Sequence, residues 1–276
     1  MHPRLAKAHN PAPHPQKGQS VRARAYASTM AWESDYVWVT GDEFPFTKSQ
    51  VNRAGERIRH AAERREDPSE DDLHLLNVFR AWHSPVLNGL QLRLGSMIAG
   101  LNPALPPGTS IAGRPLKTRQ AIIAKLVRER SRLSRIQDVA GTRIVVPTLE
   151  HQERVLEHIL TEFASESPAV KDTRAAGDEL GYRALHVVVT LDGRYAEIQL
   201  RTAAQATWAQ SVEILDEQEK SDLKHGVGPE DRLEFLKRLS DQLRRVDIGD
   251  ATLGDSLIAV GLVGLIGYIE NRKGTT

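Results

Sequence analysis

The alternation of apolar and polar residues is clearest in the second half of the chain, where it predicts two antiparallel strands joined by a tight turn. Residues 183–191 (RALHVVVTL) are rich in β-branched and apolar side chains, and residues 195–200 alternate again. The Asp-Gly pair at 192–193 is typical of a two-residue type I′ hairpin turn. Because side chains alternate between the two faces of a strand, Tyr182 and His186 are expected to share one face.

The predicted hairpin has one polar face. Glu197, Gln199 and Arg201 on the return strand are expected to join Tyr182 and His186, because the opposite arrangement would set a carboxylate against the valines of the first strand. A polar, aromatic and charged face on a sheet suits a ligand. The solvated outer face of an antiparallel sheet has the same pattern, so the pattern alone leaves both interpretations open.

The rest of the chain is predicted to be mainly helical. A capping-box pattern at 47–50 and a Ser-Pro pair at 84–85 indicate helix starts. Helices are predicted at 47–65, from 69, from 84, at 149–163, at 203–219 and at 230–246, with a buried strand at 144–147, a linker at 104–114 and a loop at 165–181. These elements predict an α+β fold, in which a mixed, mostly antiparallel sheet is flanked by helices.

A second polar cluster comes just before the predicted buried strand. Asp138 precedes Val-Ala-Gly-Thr-Arg and then the apolar run that starts at residue 144. Asp138 beside Arg143, with Glu197 from elsewhere in the chain, would supply two carboxylates to a hard divalent cation such as Mg²⁺, which keeps several waters when it binds protein. The alternative is an aspartate cap with a structural arginine partner.

Positive charge is concentrated in one stretch of the chain. Residues 114–135 carry eight Lys and Arg side chains against one Glu, although the whole chain has a formal net charge of only +1. Apolar residues at helical spacing predict an amphipathic helix with a basic face in this stretch. Such a face suits the phosphates of a nucleoside triphosphate or of a nucleic acid.

Composition limits the compartment and the kinds of site. The 276-residue chain has no cysteine, which excludes disulfides and thiolate metal sites and fits a cytoplasmic protein. Residues 1–20 are rich in Pro and His and have no apolar signal-peptide core, so they are predicted to be a flexible tail.

The carboxyl-terminal end is unusually apolar. Residues 256–269 (SLIAVGLVGLIGYI) are shorter than the roughly 20 residues of a typical membrane span. The segment is predicted to dock on the domain or on a partner. Association with a membrane surface and a short spanning helix are the two alternatives.

Several segments together resemble the synthetase domain of the RelA/SpoT family of nucleotide pyrophosphokinases. The segments DVAGTRIVV, GYRALH, EIQLRT and TWAQSVE occur in this order between residues 138 and 213. FTKSQVNRAGERI and LNVFRAWHSPVLNGLQ resemble the amino-terminal helices of the small, single-domain branch, which includes toxic synthetases of toxin and antitoxin pairs. SDLKHG, near residue 224, resembles a late motif of the same branch. The resemblance divides the chain into a tail (1–20), an amino-terminal helical part (46–105), a domain with the nucleotidyltransferase-like synthetase fold (110–250) and an apolar tail (251–276).

The resemblance implies a catalytic centre with two carboxylates. Asp138 would hold Mg²⁺ on the phosphates of ATP, and Glu197 would complete the metal site and act as general base on the 3′-hydroxyl of the acceptor. Gln199 and Arg201 would support the strand that carries Glu197.

The resemblance also implies the substrate-binding residues. Tyr182 would stack on the acceptor base, and His186 would contact the acceptor phosphate. The adenine of ATP would lie between Arg143 and an arginine near residue 114, and the phosphates would bind two lysines, Lys117 and Lys125. Either Arg114 or Arg119 fits the second adenine-stacking position.

The implied activity is transfer of the β,γ-pyrophosphate of ATP to a 3′-hydroxyl. The favoured acceptor is the 3′-CCA end of tRNA, which would make the protein a growth-inhibiting toxin that blocks translation and is neutralised by an antitoxin partner. The first alternative is GDP or GTP, which would give (p)ppGpp. The second alternative is a nucleotide- or RNA-binding module without catalytic activity.

Overall fold

A computed structural model describes residues 44–101, 108–175, 180–219 and 221–255. The predicted tail at 1–20 and the apolar segment 256–269 lie outside these residues. The helices are α1 Lys48–Glu63, α2 Glu70–Trp82, α3 Ser84–Leu101, α4 Arg119–Glu129, α5 Leu149–Glu162, α6 Ala203–Glu219 and α7 Glu230–Asp247. The strands are β1 Ser110–Ala112, β2 Ala140–Val146, β3 Ala169–Asp172, β4 Leu185–Leu191 and β5 Arg194–Thr202. Three short 3₁₀ turns lie at Leu133–Arg135, Ala164–Glu166 and Leu223–His225.

The five strands form one mixed sheet in the order β1-β2-β5-β4-β3. Strands β2 and β5 run parallel, and the other three neighbouring pairs are antiparallel. This arrangement confirms the predicted α+β fold. In the part of the chain that the structure describes, no helix combines the length and apolarity that crossing a bilayer requires.

The predicted hairpin is confirmed in its turn and in its register. Asp192 and Gly193 connect β4 to β5, and both have the positive φ angles (48° and 74°) that a type I′ turn requires. His186 pairs with Gln199, and the next pair on the same face contains Glu197. Because directly paired residues of an antiparallel sheet lie on the same face, the polar side chains come together as predicted.

The opposite face of the sheet forms the main hydrophobic core. The apolar residues of β2, β4 and β5 pack there against α3 and α5. A second cluster joins α1, α2 and α4, and a third joins α6 and α7. Covering only the apolar face with α3 and α5 leaves the polar face of the hairpin available for a site.

Four elements differ from the predictions. Strand β2 begins at residue 140, so residues 140–143, predicted as a loop before the strand at 144–147, form its first half. The predicted linker contains β1, which pairs with β2, and the predicted loop contains β3, which pairs with β4. Every residue of β3 is exposed, so this edge strand has no apolar alternation to reveal it. The basic stretch forms a helix only to Glu129, because Arg130 adopts a left-handed conformation (φ 46°) and ends α4.

Acid is expected to destabilise the fold through His83. This side chain is only 2% exposed, its Nδ1 lies 2.8 Å from the Phe79 carbonyl oxygen, and burial lowers its pKa from 6.5 to about 4. The unfolded chain therefore binds a proton that the folded chain excludes as the pH falls from 6.5 towards 4. The free energy of unfolding should fall by about 3 kcal/mol over this interval, because a difference of one pKa unit between the folded and unfolded chain corresponds to about 1.36 kcal/mol.

Urea unfolding of the wild type and a His83→Gln variant across this pH range measures that contribution. The wild type should lose more stability than the variant as the pH falls, by about the stated amount. Substitution of the exposed His158 by Gln is the matched control and should leave the wild-type pH dependence unchanged. Parallel pH curves for wild type and His83→Gln would contradict the role of His83.

Candidate active site

The polar face of the hairpin carries a chain of hydrogen bonds centred on Glu197. The Nδ1–H of His186 donates to one carboxylate oxygen of Glu197 over 2.8 Å, and Nε2 of Gln199 donates to the other over 2.8 Å. The second ring nitrogen of His186 lies 2.8 Å from the Tyr182 hydroxyl, which also accepts a 2.8 Å hydrogen bond from Arg201. These contacts fix the orientation of the Glu197 carboxylate before any substrate binds.

Glu197 is held in its anionic form. Burial of the carboxyl raises its pKa, but the hydrogen bonds from His186 and Gln199 and the charge of the imidazole outweigh burial and leave the pKa lowered. A carboxylate that is partly buried, oriented and charged is suited to accept a proton from a hydroxyl or to bind a cation.

Asp138 lies just before β2 and accepts two lysine contacts. Nζ of Lys117 and Nζ of Lys125 each lie 2.9 Å from a different oxygen of Asp138. Burial raises the pKa of this carboxyl, and the two ammonium groups lower it to below its usual value. The basic stretch therefore delivers two of its lysines to the same carboxylate.

Arg143 has a different partner from the one predicted. It was expected beside Asp138, but its guanidinium donates to Glu213 of α6 over 3.5 Å. Strand geometry explains the difference, because Arg143 lies inside β2 and points across the sheet towards α6, whereas Asp138 precedes the strand. Burial lowers the pKa of Arg143, and so do the nearby charges of Arg201 and Arg114.

The two carboxylates are close enough to influence each other, because the charge of Asp138 raises the pKa of Glu197. Their oxygen atoms are of the type that Mg²⁺ prefers. Among the described residues, no group of three or more His, Asp or Glu side chains could hold a metal. The donor set therefore fits a Mg²⁺ ion that takes its remaining ligands from water and from substrate phosphates, as is usual for this ion.

The sheet brings the predicted residues together from distant parts of the sequence. Arg114, at the amino-terminal side of the basic stretch, donates to the Gln199 side chain over 3.3 Å, and Gln199 in turn contacts Glu197. Tyr182 packs its ring at 5.8 Å from Trp208, and Arg201 lies 5.3 Å above the same ring. The tyrosine is thus supported on two sides by groups from β5 and α6.

One charged residue at this site was not predicted. The charge of Lys224, on the 3₁₀ turn Leu223–His225, interacts with the charges of Arg201, Lys117 and Arg114. The sequence signal that could have found it is the SDLKHG motif, in which a lysine follows a buried leucine.

Part of the chain matches a known family. Residues 113–214 match the family described as "Region found in RelA / SpoT proteins". Uncharacterised proteins of Mycobacterium bovis and Mycobacterium tuberculosis are 31% identical over 188 residues, which is 67% of this chain and 64% of theirs. The chain thus spans slightly less than two thirds of the length of these relatives.

Solved structures share the fold. The small alarmone synthetase 1 of Bacillus subtilis bound to pppGpp is 24% identical, with a TM-score of 0.51 over 66% of this chain and 94% of its own. A GTP pyrophosphokinase family protein of Streptococcus pneumoniae is 23% identical, with a TM-score of 0.51 over 64% of this chain and 92% of its own. At these identities the likeness is evidence for the fold alone.

Proposed function

Because residues 113–214 of this chain form a RelA/SpoT-type synthetase domain, we propose that the protein transfers the β,γ-pyrophosphate of ATP to a 3′-hydroxyl. The observation that carries the proposal is the oriented, anionic Glu197 beside Asp138, whose own carboxylate contacts two lysines. A protein that only binds a nucleotide has no need of two partly buried carboxylates next to a phosphate-binding cluster.

The donor side of the site is built from the basic stretch and β2. Lys117 and Lys125 would bind the phosphates of ATP, and Arg143 with Arg114 would hold the adenine. Asp138 and Glu197 would hold Mg²⁺, which supplies charge neutralisation on the phosphates when it is bound. Phosphoryl transfer depends mainly on positioning and charge neutralisation, and this side of the site supplies both.

The acceptor side is built from the hairpin. Glu197 takes the proton of the acceptor 3′-hydroxyl, whose oxygen forms a bond to the β-phosphorus of ATP. The bond between this phosphorus and the α,β-bridging oxygen breaks, and AMP leaves with the electron pair. His186 and Gln199 keep Glu197 aimed at the hydroxyl, and Tyr182 stacks on the acceptor base.

We favour the 3′-terminal adenosine of tRNA as the acceptor. Arg130, Arg132 and Arg135 are exposed, and they follow the helix that carries Lys125. Exposed arginines that follow a phosphate-binding helix along the chain suit the backbone of an RNA that extends beyond the site. Modification of the tRNA end would block translation, so the protein would act as a growth-inhibiting toxin with a neutralising protein partner. A guanine nucleotide is the alternative acceptor, because its phosphates use the same charges.

Transfer of label from γ-labelled ATP with Mg²⁺ tests the proposal directly. The purified protein is offered deacylated tRNA, GDP and GTP separately, and tRNA without its terminal adenosine is the control. Label on intact tRNA alone supports the toxin, and label on the guanine nucleotide supports an alarmone synthetase. Label on none of them contradicts pyrophosphate transfer and favours a binding module.

The salt dependence of tRNA binding is expected to be steep. If the three exposed arginines each contact one phosphate, the affinity should fall about 20-fold between 50 and 200 mM salt, because each single-strand contact contributes about 0.7 to the log–log slope. Filter binding of the wild type and of a triple variant, with Arg130, Arg132 and Arg135 changed to Ala, measures the slope. The variant should show a much shallower slope, and equal slopes would exclude this surface from RNA binding.

A further inference from the structure

Positive charges accumulate around Arg201, where the donor-side arginine Arg143 is close enough to interact electrostatically with both Arg201 and Arg114. Arg201 is 2% exposed and donates to the Tyr182 hydroxyl, while its Nε and Nη1 have no hydrogen-bond partner among the described residues. The charges of Arg201 and Arg114 repel that of Arg143. The ion pair of Arg143 with Glu213 is long, with 3.5 Å between the guanidinium nitrogen and the carboxylate oxygen. Buried donors without partners and clustered like charges both cost free energy unless an anion joins them.

Lys224 is held next to this cluster by a well-anchored turn. Leu223 is fully buried in the core between α6 and α7. The carboxylate of Asp216, on α6, accepts hydrogen bonds from the backbone N–H groups of Leu223 and Lys224. Asp216 lies three residues after Glu213, so one side of α6 contacts Arg143 on the sheet and also holds the turn.

Lys224 is exposed, and its ammonium group has no hydrogen-bond partner among the described residues. Partial desolvation of the ammonium group and the charges of Arg201 and Lys117 lower its pKa, and the charge of Glu213 opposes this shift. The fold therefore places a lysine beside several cations, and among the described residues no carboxylate forms a salt bridge with it, although the charge of Glu213 acts on it. Such a position is favourable when a negatively charged ligand occupies it.

Both ring nitrogens of His186 have partners within the protein, so the acceptor phosphate requires a partner other than His186. One ring nitrogen of His186 contacts Glu197 and the other contacts the Tyr182 hydroxyl. In this arrangement His186 orients the base, and neither nitrogen is free to contact a phosphate. Lys117 and Lys125 are engaged by Asp138 on the donor side. The acceptor phosphate needs another cation near Tyr182.

We propose that Lys224 supplies this cation and that, beside Arg201, it binds a phosphate group of the acceptor. The inference rests on the proposed function, because it assigns a substrate contact to the same site. The chemistry is that of a phosphate next to a ribose with a free 3′-hydroxyl. Its source is either the 5′-diphosphate of a guanine nucleotide or the phosphodiester that precedes the terminal adenosine of an RNA.

Calorimetric titration of the full-length protein, saturated with a non-hydrolysable ATP analogue, tests the contact. The probes are GDP against guanosine, and a CCA trinucleotide against adenosine. Lys224→Ala should lower the affinity for the phosphorylated probe about 10-fold or more, which is the usual contribution of a hydrogen bond to a charged group. The affinity for the unphosphorylated counterpart should change by less than about 2-fold. Lys224→Arg should retain most of the affinity. The pair of probes that responds identifies the source of the phosphate.

Lys237 of α7 provides a matched control, because it is an exposed lysine in the same helical part of the chain. Lys237→Ala removes the same charge and should leave every affinity unchanged. Equal weakening of phosphorylated and unphosphorylated probes by Lys224→Ala, weakening of the ATP analogue instead, or no weakening would overturn the proposal. If the melting temperature of Lys224→Ala falls, Lys224→Gln, which keeps most of the aliphatic stem, repeats the test.

The labelled-ATP assay separates this inference from the proposed function. Transfer by the wild type together with unchanged affinity in Lys224→Ala would remove the Lys224 contact and keep the activity. Absence of transfer together with selective loss of the phosphorylated probe would remove the activity and keep the anion site.

Discussion

Glu197→Gln is expected to lower the rate of pyrophosphate transfer by about 10³-fold or more while the affinity for ATP stays nearly unchanged. General acid–base catalysis typically contributes about 10²- to 10⁴-fold, and the variant also loses one charge of the proposed metal site. Glutamine has the same shape as glutamate but cannot take a proton from a hydroxyl at neutral pH. The substitution therefore isolates the chemical role of the carboxylate.

The surroundings of Glu197 predict a small structural cost for this substitution. Both carboxylate oxygens accept hydrogen bonds, one from His186 and one from Gln199. The amide nitrogen of a glutamine would face one of these donors, so one of the two hydrogen bonds would be lost unless Gln199 turns its own amide. Thermal unfolding should show a modest decrease in melting temperature, and the fold should persist at the assay temperature.

The measurement pairs single-turnover transfer from labelled ATP with calorimetric binding of a non-hydrolysable ATP analogue. Glu234→Gln is the matched control, because Glu234 is an exposed glutamate of α7. The control should transfer at the wild-type rate. Transfer by Glu197→Gln within about 10-fold of the wild type would show that another group is the base.

Replacing Tyr182 by Ala should weaken binding of the acceptor and leave binding of ATP almost unchanged. Stacking of a base on an aromatic ring is worth about 1 to 3 kcal/mol per base, which corresponds to a rise in the acceptor KM of about 5- to 150-fold. The effect should be confined to the acceptor, because the tyrosine belongs to the hairpin side of the site and contacts Arg201 and His186 rather than Lys117 or Lys125.

Tyr182→Phe separates the ring from its hydroxyl. Phenylalanine keeps the packing on Trp208 and the contact of Arg201 with the ring face, so the acceptor KM should stay near the wild-type value. Loss of the hydroxyl removes the partner of one His186 nitrogen and the acceptor of the Arg201 hydrogen bond, so kcat should fall more than KM rises. Steady-state kinetics with each substrate varied in turn provides both constants. Equal increases in the KM values for ATP and for the acceptor in Tyr182→Ala would contradict the stacking role.

The hairpin shows what local pattern can predict. Its register follows from the two-residue Asp-Gly turn, and its polar face follows from the alternation on either side of that turn. Both signals act over a few residues, so the juxtaposition of His186, Glu197 and Gln199 was predictable without any knowledge of the fold. The helix starts at Thr47 and Ser69 were equally local, because each is a side-chain cap on its own helix.

The edge strands show where local pattern stops. β1 has three residues, and β3 is exposed throughout, so neither has the apolar alternation that marks a strand. Each becomes a strand because a neighbour, β2 or β4, offers unpaired backbone groups along its edge. Backbone pairing of this kind depends on what lies beside the segment more than on its own side chains.

The sequence by itself determined the α+β class, the hairpin with its polar face, and the set of charged residues available to a site, because these depend on short-range periodicity and composition. Only the tertiary structure decided which charges meet. It paired Asp138 with Lys117 and Lys125 instead of Arg143, and it brought Lys224 from the turn after α6 to the side of Arg201. Contacts across tens of residues depend on how β2, β5 and α6 pack, and spacing along the chain has no information about distances across a sheet or between a sheet and a helix.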